Sequence, residues 1–235
     1  MIRHPWLSLL PLAGLLLAGW SAMAPVAADG APVRLPDPRV DPPPAQPGEQ
    51  VAVFAGGCFW GVEAVFDHVR GVRQAWAGYA GGNADTATYE RVSDGDTGHA
   101  ESVKVRYDPR QVSYGQLLKV FFTVALDPTE LDRQGPDVGS QYRSVIFYTT
   151  AQQQQVASAY IAQLTAAHAF DAPIVTQVAP LRGFYVAEAY HQNYAALHPD
   201  NPYIAYNDAP KVAHLQQWLP ALYRPQPQVV DVQLH

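Results

Sequence analysis

The sequence contains a single cysteine, Cys58, among 235 residues. A disulfide within these residues is therefore excluded, and no structural zinc site is expected because the eight histidines show no metal-ligand spacing. Basic residues are also few, with 15 Lys and Arg against 21 Asp and Glu. This acidic balance gives no indication of nucleic-acid binding. The composition is 48% hydrophobic and 15% charged, which indicates a globular protein with one sizeable core.

The N-terminus has the pattern of a secretory signal peptide. Two basic residues precede an apolar run over residues 7–20, and small residues then offer cleavage after Ala24 or Ala28. The run is too short and wrongly flanked for a membrane span. We therefore predict a signal peptide over residues 1–28 and an exported, periplasmic protein with no stable membrane association after cleavage.

Proline marks both ends of the predicted domain. Residues 29–49 hold seven of the 21 prolines and are predicted to form an extended linker. Residues 50–223 show regular hydrophobic patterns and form one predicted domain. Residues 224–235 are polar and broken by proline, so we expect a flexible tail.

Hydrophobic periodicity predicts the order strand–helix–strand–strand–helix–strand from Gln50 to Tyr148. The predicted strands are 50–55, 72–79, 99–107 and 144–148, and the predicted helices are 59–69 and one that begins after Ser113. This order is that of the ferredoxin-like split βαβ motif. We predict an α+β fold in which helices pack on a mainly antiparallel sheet.

Additional elements follow this core. Capping patterns at Ser113 with Gln116 and at Thr150 with Gln153 begin two helices, the second of which ends near residue 167. A strand at 174–178, a helix at 187–197 and a short helix around Leu215 are predicted next. Residues 127–141 form a long irregular segment, which is a candidate wall of an active site.

Cys58 lies where the first strand turns through Gly56 and Gly57 into a helix. Unpaired N–H groups and the helix dipole favour an anion at this position, which would be a thiolate. The dipole contributes roughly 0.3–1 kcal/mol, less than one pKa unit, so it does not activate the thiol alone. A lone thiol in an exported protein indicates a reactive group, although free cysteine is also often a small buried hydrophobe.

Glu101 shares the apolar face of its predicted strand with Val103 and Val105. Burial raises a carboxyl pKa and keeps the group protonated near neutrality, as a proton donor requires. The alternative is a glutamate at the strand end that reaches water. Phe59 and Trp60 diverge by about 100° on the helix, so at least one is expected beside the sulfur as an apolar wall.

Two tyrosines, Tyr89 and Tyr142, lie in or beside the irregular segments and either donate a phenolic O–H or anchor packing. His99 and His191 are the candidate bases of a cysteine hydrolase, but no spacing ties them to Cys58. A third possibility is a non-catalytic module that binds methionine-rich segments.

The motif Gly56-Gly57-Cys58-Phe59-Trp60-Gly61 resembles the signature of the A-class peptide methionine sulfoxide reductases. The resemblance continues in family order over residues 51–203, which makes it very specific. Its further segments are Gly78-Tyr79-Ala80-Gly81-Gly82, Tyr89, Gly95-Asp96-Thr97-Gly98-His99-Ala100-Glu101, Gly135-Pro136-Asp137, Gly139-Ser140-Gln141-Tyr142-Arg143-Ser144, Ala187-Glu188 and Tyr190-His191-Gln192-Asn193-Tyr194.

The resemblance implies a reductase of the S-epimer of methionine sulfoxide, free or in proteins, with residues 50–223 as the catalytic domain. Cys58 would attack the sulfoxide sulfur and end as a sulfenic acid, with Glu101 as the proton donor. Tyr89 and Tyr142 would assist by hydrogen bonding, and Asp137 would help to order the site. Phe59 and Trp60 would hold the substrate methyl group.

Two positions depart from the family pattern. Many relatives carry further cysteines that resolve the sulfenic acid, and this chain has none. Leu126 stands where relatives often show histidine before Asp-Pro. We therefore expect an external, thioredoxin-like electron donor, no cofactor or metal, and a monomer whose partners are oxidised proteins or peptides.

Overall fold

The structure is a computed structural model that describes Met1, residues 35–43 and residues 47–231. Residues 35–43 and 47–231 belong to one compact unit. The predicted signal peptide lies outside the described residues, apart from Met1, and so do the last four residues of the predicted tail. In the part of the chain that is described, no helix is both long enough and apolar enough to cross a membrane.

A six-stranded sheet forms the centre of the fold, with the strand order β7-β6-β1-β3-β2-β8. All neighbours are antiparallel except β6 and β7, which are parallel. A separate two-stranded hairpin is formed by β4 and β5. The strands are β1 (Gln50–Ala55), β2 (Val72–Ala80), β3 (Ala100–Tyr107), β4 (Arg133–Gln134), β5 (Asp137–Val138), β6 (Val145–Tyr148), β7 (Gln177–Pro180) and β8 (Phe184–Val186).

Helices and single turns of π-helix connect these strands. The π-helical turns are Phe121–Ala125, directly after α3, and Ile204–Asp208, directly before α6. The helices are α1 (Phe59–Asp67), α2 (Tyr89–Ser93), α3 (Tyr114–Val120), α4 (Ala151–Ala166), α5 (Tyr194–Leu197) and α6 (Ala209–Trp218).

The prediction of a mixed α+β fold with a mainly antiparallel sheet is confirmed. The four strands of the predicted core lie in the order β6-β1-β3-β2, which is compatible with the split βαβ motif. Strand β1 is central, and its side chains alternate between two apolar clusters. Phe54 stacks against Phe66 of α1 and against Phe121, with ring centroids 5.0 Å apart in both pairs. The opposite face carries a smaller cluster that includes Val53 and Phe147.

Both predicted helix caps are present. The Ser113 side chain accepts a hydrogen bond from the N–H of Gln116, and the Gln116 side chain accepts one from the N–H of Ser113. The Thr150 side chain accepts from the N–H of Gln153 at the start of α4. These bonds satisfy donors that the first helical turn leaves unpaired.

Several predicted elements after residue 170 were wrong. The strand predicted at 174–178 is β7, which begins at Gln177. The predicted helix over 187–197 does not form as a single helix, because Asn193 has a left-handed backbone with φ 56°. Only the short helix α5 follows Asn193. Strand β8 was not predicted. Earlier in the chain, the segment before Gly98 that was predicted as a loop contains α2, which carries Tyr89.

Residues on both sides of the predicted domain also contact it. Leu35 is buried, and the carbonyl of Pro36 accepts a hydrogen bond from the Tyr160 hydroxyl at 2.9 Å. At the other end, Arg224 Nε donates to the carbonyl of Asp67 at 3.0 Å. Val230 is buried. The described parts of the proline-rich segment and of the C-terminal segment therefore pack on the domain.

Candidate active site

The turn from β1 into α1 places Cys58 at the N-cap of the helix, as predicted. Gly57 has φ +90°, a backbone conformation that other residues rarely adopt, and the Gln134 side chain lies where its Cβ would be. Gln134 belongs to the 127–141 segment, so this segment does form a wall at the turn. Cys58 is a free thiol that is only 8% exposed.

Glu101 lies on β3 with its carboxyl group beside the same turn. The side chain is buried, and Oε2 accepts a hydrogen bond of 2.9 Å from the backbone N–H of Phe59. Burial raises the pKa of Glu101 to about 8, with further increases from Asp137 and Asp208, although the Phe59 bond opposes the rise. Glu101 is therefore a neutral carboxylic acid at pH 7 and able to donate a proton.

The resting thiol is not the anion that the helix N-terminus favours. Burial raises the pKa of Cys58 well above its ordinary value, and the charges of Glu101 and Asp208 raise it further. The backbone N–H of Trp60 and the charge of Lys211 lower it. Desolvation thus outweighs the dipole, so the helix N-terminus alone does not make the resting thiol an anion.

Both predicted tyrosines, Tyr89 and Tyr142, interact electrostatically with this pair. Burial raises the pKa of each phenol, and the charges of Glu101 and Cys58 add to the rise in both. Tyr89 begins α2, and its backbone N–H donates to Glu188 Oε1 at 2.9 Å. The two phenols are therefore within electrostatic range of the sulfur and the carboxyl group, and they stay protonated.

Asp137 on β5 is also brought to the site, since its charge raises the pKa of Glu101. Its Oδ2 accepts a short hydrogen bond from the hydroxyl of Tyr203. Tyr203 was not predicted as a site residue, and burial together with the charge of Cys58 raises its pKa. This bond fixes the β4–β5 hairpin to the segment that leads into α6.

Phe59 and Trp60 have different environments. Phe59 is buried, with its ring centroid 5.8 Å from that of Tyr79 and 5.0 Å from that of His191. Trp60 is half-buried and stacks on Tyr194, with centroids 3.8 Å apart and the planes 10° from parallel. Trp60 is therefore the more accessible of the two aromatic walls at the turn.

Asp208 and Lys211 were missed by the sequence reasoning. They lie at the start of α6, against the first turn of α1, where Gly61 has no side chain. The one signal in the sequence is Gly61 itself, because glycine within a helix costs about 1 kcal/mol relative to alanine and so indicates a close approach.

Neither histidine that was weighed as a hydrolase base is directed to the thiol. His99 contacts the N–H of Gly82 through Nδ1 and the carbonyl of Asn83 through Nε2. The Nδ1 of His191 accepts a hydrogen bond from Trp60 Nε1 at 3.2 Å. The hydrolase alternative has no geometric support. Among the described residues, no group of three or more His, Cys, Asp or Glu side chains is placed to hold a metal ion.

Comparison with known proteins identifies relatives across this domain. The sequence family described as "Peptide methionine sulfoxide reductase" matches residues 50–221. A Mesorhizobium japonicum protein named "Peptide methionine sulfoxide reductase MsrA 2" is 56% identical over 186 residues, which cover 79% of this chain and 95% of the relative. A Synechocystis protein of the same name is 53% identical over 186 residues, with 78% of this chain and 87% of the relative covered.

Solved structures give the same result. The reduced form of Mxr1 from Saccharomyces cerevisiae has a TM-score of 0.60 at 31% identity, covering 65% of this chain and 87% of the other. "Methionine sulfoxide reductase A of Corynebacterium diphtheriae" has a TM-score of 0.56 at 36% identity, covering 72% and 86%.

Proposed function

The chain belongs to the peptide methionine sulfoxide reductase family, and we propose that it reduces the S-epimer of methionine sulfoxide with Cys58 as its nucleophile. The observation that carries this proposal is the arrangement of Cys58 and Glu101. A thiol at a helix N-cap and a neutral carboxylic acid are held together by the bond from Phe59 N–H to Glu101 Oε2. Sulfoxide reduction needs these two groups, a sulfur nucleophile and a proton donor.

In the proposed reaction the Cys58 sulfur attacks the sulfoxide sulfur, Glu101 protonates the oxygen, and the proton that the thiol loses returns Glu101 to its neutral form. The sulfur–oxygen bond of the substrate breaks and oxygen passes to Cys58. Methionine leaves, reduced by two electrons, and Cys58 becomes a sulfenic acid, oxidised by two electrons. The Tyr89 and Tyr142 phenols stabilise the charge on the oxygen as protons arrive, and Asp137 holds the hairpin that borders the site.

Substrate recognition is assigned to the aromatic residues of the turn. Trp60 is half-buried and fixed on both sides, by stacking on Tyr194 and by its hydrogen bond to His191. Phe59 forms the deeper wall. A rigid apolar surface of this kind accommodates the methyl group of a sulfoxide, which has no hydrogen-bonding capacity.

Regeneration needs a thiol from another molecule, because no second cysteine occurs in the 235 residues. A donor thiol attacks the sulfenic acid, water leaves and a mixed disulfide forms. A second thiol of the donor then releases Cys58 as a thiol. A thioredoxin-like protein with two cysteines supplies both thiols. The mixed disulfide should be trapped on Cys58 by a donor variant that lacks its second cysteine.

We also propose that residues 1–28 direct export to the periplasm. The supporting observation is the signal-peptide pattern, with small residues before Ala24 and Ala28. N-terminal sequencing of the protein from a periplasmic fraction tests this proposal. A protein that is found only in the cytoplasm with residues 1–28 intact contradicts it.

The central test uses peptides that carry either epimer of methionine sulfoxide, with excess dithiol. We expect turnover of the S-epimer only, and we expect Cys58→Ser to abolish it. Absence of S-selective turnover would overturn the proposed function. Turnover that survives Cys58→Ser would retain the activity but overturn the assigned nucleophile.

A further inference from the structure

Asp208 is a buried carboxyl group that the proposed reaction does not use. Its side chain has no exposed surface. A Cβ at Gly61 would lie 2.1 Å from Asp208 Oδ1 and 2.8 Å from Lys211 Nζ. Because glycine has no side chain, both groups can pack directly against the backbone of α1. Gly61 follows Cys58 by three residues, a spacing that separates Cβ atoms by about 5–6 Å on a helix. The carboxyl group therefore approaches α1 one turn from the sulfur.

Lys211 is the counter-ion of Asp208. Its Nζ lies 3.2 Å from Oδ1, whereas Oδ2 has no hydrogen-bond partner among the described residues. Burial and the charge of Asp137 raise the pKa of Asp208, and Lys211 opposes the rise. Contact with an ammonium group favours the ionised form of this carboxyl group.

The groups that face Cys58 come from several elements. They are Glu101 on β3, Asp208 and Lys211 at the start of α6, and the phenols of Tyr89, Tyr142 and Tyr203. The phenols are neutral, and Glu101 is protonated below about pH 8. Of these two carboxyl groups Asp208 is the one paired with an ammonium group, and its negative charge disfavours a second negative charge on the sulfur.

We propose that Asp208 is a positioning residue that holds Cys58 as a neutral thiol in the resting enzyme and so slows its oxidation by peroxide. In that side reaction the thiolate attacks a peroxide oxygen, the oxygen–oxygen bond breaks and hydroxide leaves. Cys58 becomes a sulfenic acid without any methionine sulfoxide being reduced. The inference rests on the proposed role of Cys58 as the nucleophile.

The test measures the rate at which iodoacetamide alkylates Cys58 from about pH 6 to about pH 12, because burial places the wild-type midpoint well above the ordinary thiol value. Asp208→Asn keeps the shape and an oxygen for Lys211 but removes the negative charge. We expect the midpoint of the alkylation rate against pH to fall by about one pH unit in this variant. Below the midpoint, this shift makes the thiolate fraction about tenfold larger. The alkylation and peroxide rates at pH 7 should rise about threefold, because nucleophilicity falls with pKa.

Two further variants locate the effect. Adding Lys211→Met to Asp208→Asn removes the remaining positive charge and should move the midpoint back up. Asp67→Asn is the matched control. Like Asp208, Asp67 is a buried carboxyl group with one oxygen that has no hydrogen-bond partner among the described residues. It lies at the C-terminal end of α1, far from the turn that carries Cys58. We expect it to leave the midpoint unchanged, whereas a merely structural role of Asp208 would not move a thiol titration.

An Asp208→Asn midpoint equal to that of the wild type, in a variant with a cooperative thermal transition, overturns the inference. If that variant does not fold, Asp208→Ser removes the same charge with a smaller side chain and is judged by the same midpoint. Turnover of the S-sulfoxide with excess dithiol is measured in parallel. A wild type that turns over while the midpoints coincide contradicts only this inference, whereas a wild type without turnover contradicts the proposed function.

Discussion

The backbone N–H of Phe59 donates a 2.9 Å hydrogen bond to Glu101 Oε2, and this bond joins the first turn of α1 to β3. Phe59 directly follows Cys58, so one bond holds the buried carboxyl group beside the residue that carries the sulfur. The two groups are 43 positions apart in the sequence. Their proximity results from the antiparallel pairing of β1 with β3.

Glu101→Gln should slow reduction of the S-sulfoxide by about 10²–10⁴-fold, because an amide does not supply the proton that the oxygen needs. The amide keeps an oxygen for the Phe59 N–H, so substrate binding should be retained. Single-turnover release of methionine measures the effect. Glu90→Gln, at an exposed position on α2, is the control and should react as the wild type does. An unchanged Glu101→Gln rate would remove Glu101 from its role.

Tyr203→Phe should lower turnover about tenfold, because it removes the hydroxyl that holds the Asp137 carboxylate and with it the β4–β5 hairpin. Asp137→Asn should have a similar effect. Because both variants break the same hydrogen bond, the double variant should turn over only slightly more slowly than either single variant. Additive losses in kcat/KM would show that the two residues act separately.

Gly61→Ala should destabilise the protein, although this substitution usually stabilises a helix by up to about 1 kcal/mol. The new Cβ would meet Asp208 Oδ1 at 2.1 Å. Asp208 is fully buried and paired with Lys211, so moving it away costs free energy. In urea denaturation, the free energy of unfolding should be lower than that of the wild type by about 1–3 kcal/mol. Adding Asp208→Ala should restore part of it, and a Gly61→Ala variant as stable as the wild type would contradict the contact.

The free energy of unfolding should decrease as pH rises from about 4.5 to about 8. Burial raises the pKa of Glu63 to about 8, against hydrogen bonds from the N–H groups of Ala77 and Asn193, and Glu101 has a similar value. A raised folded-state pKa gives stability that is complete below the unfolded value and lost as pH approaches the folded one. Each group contributes at most about 1.4 kcal/mol per pH unit.

Urea denaturation at pH 5, 6, 7 and 8 measures this dependence. Glu63→Gln should flatten the profile, because it removes one of the buried carboxyl groups whose pKa is raised. Glu90→Gln should keep the wild-type slope, since Glu90 is exposed. A wild-type profile that rises over this range has the opposite sign and would contradict the assignment.

The N-terminal half of the fold was predictable because its signals are local. Strand β1 and the start of α1 follow from an apolar run, glycines at the turn and helical spacing after it. The caps at Ser113 and Thr150 follow from side chains that reach the helix's own N–H groups. Alternation along β3 placed Glu101 on the buried face without any long-range information.

The C-terminal third was less predictable because its structure depends on distant partners. The backbone at Asn193 is left-handed, and the Asn193 N–H bonds to Glu63 on α1, 130 residues away. No periodicity reports such a contact. Asp208 and Tyr203 reach the site only because α6 and the turn before it pack against α1.

Local sequence patterns are sufficient to place Cys58 at a helix N-terminus and to turn Glu101 inward. The charge of the thiol, in contrast, depends on the tertiary structure. The helix dipole contributes roughly 0.3–1 kcal/mol in favour of the anion, and that contribution is local. Burial by the surrounding chain acts against it, together with the charges of Glu101 and Asp208, so the thiol at Gly57-Cys58-Phe59 rests uncharged.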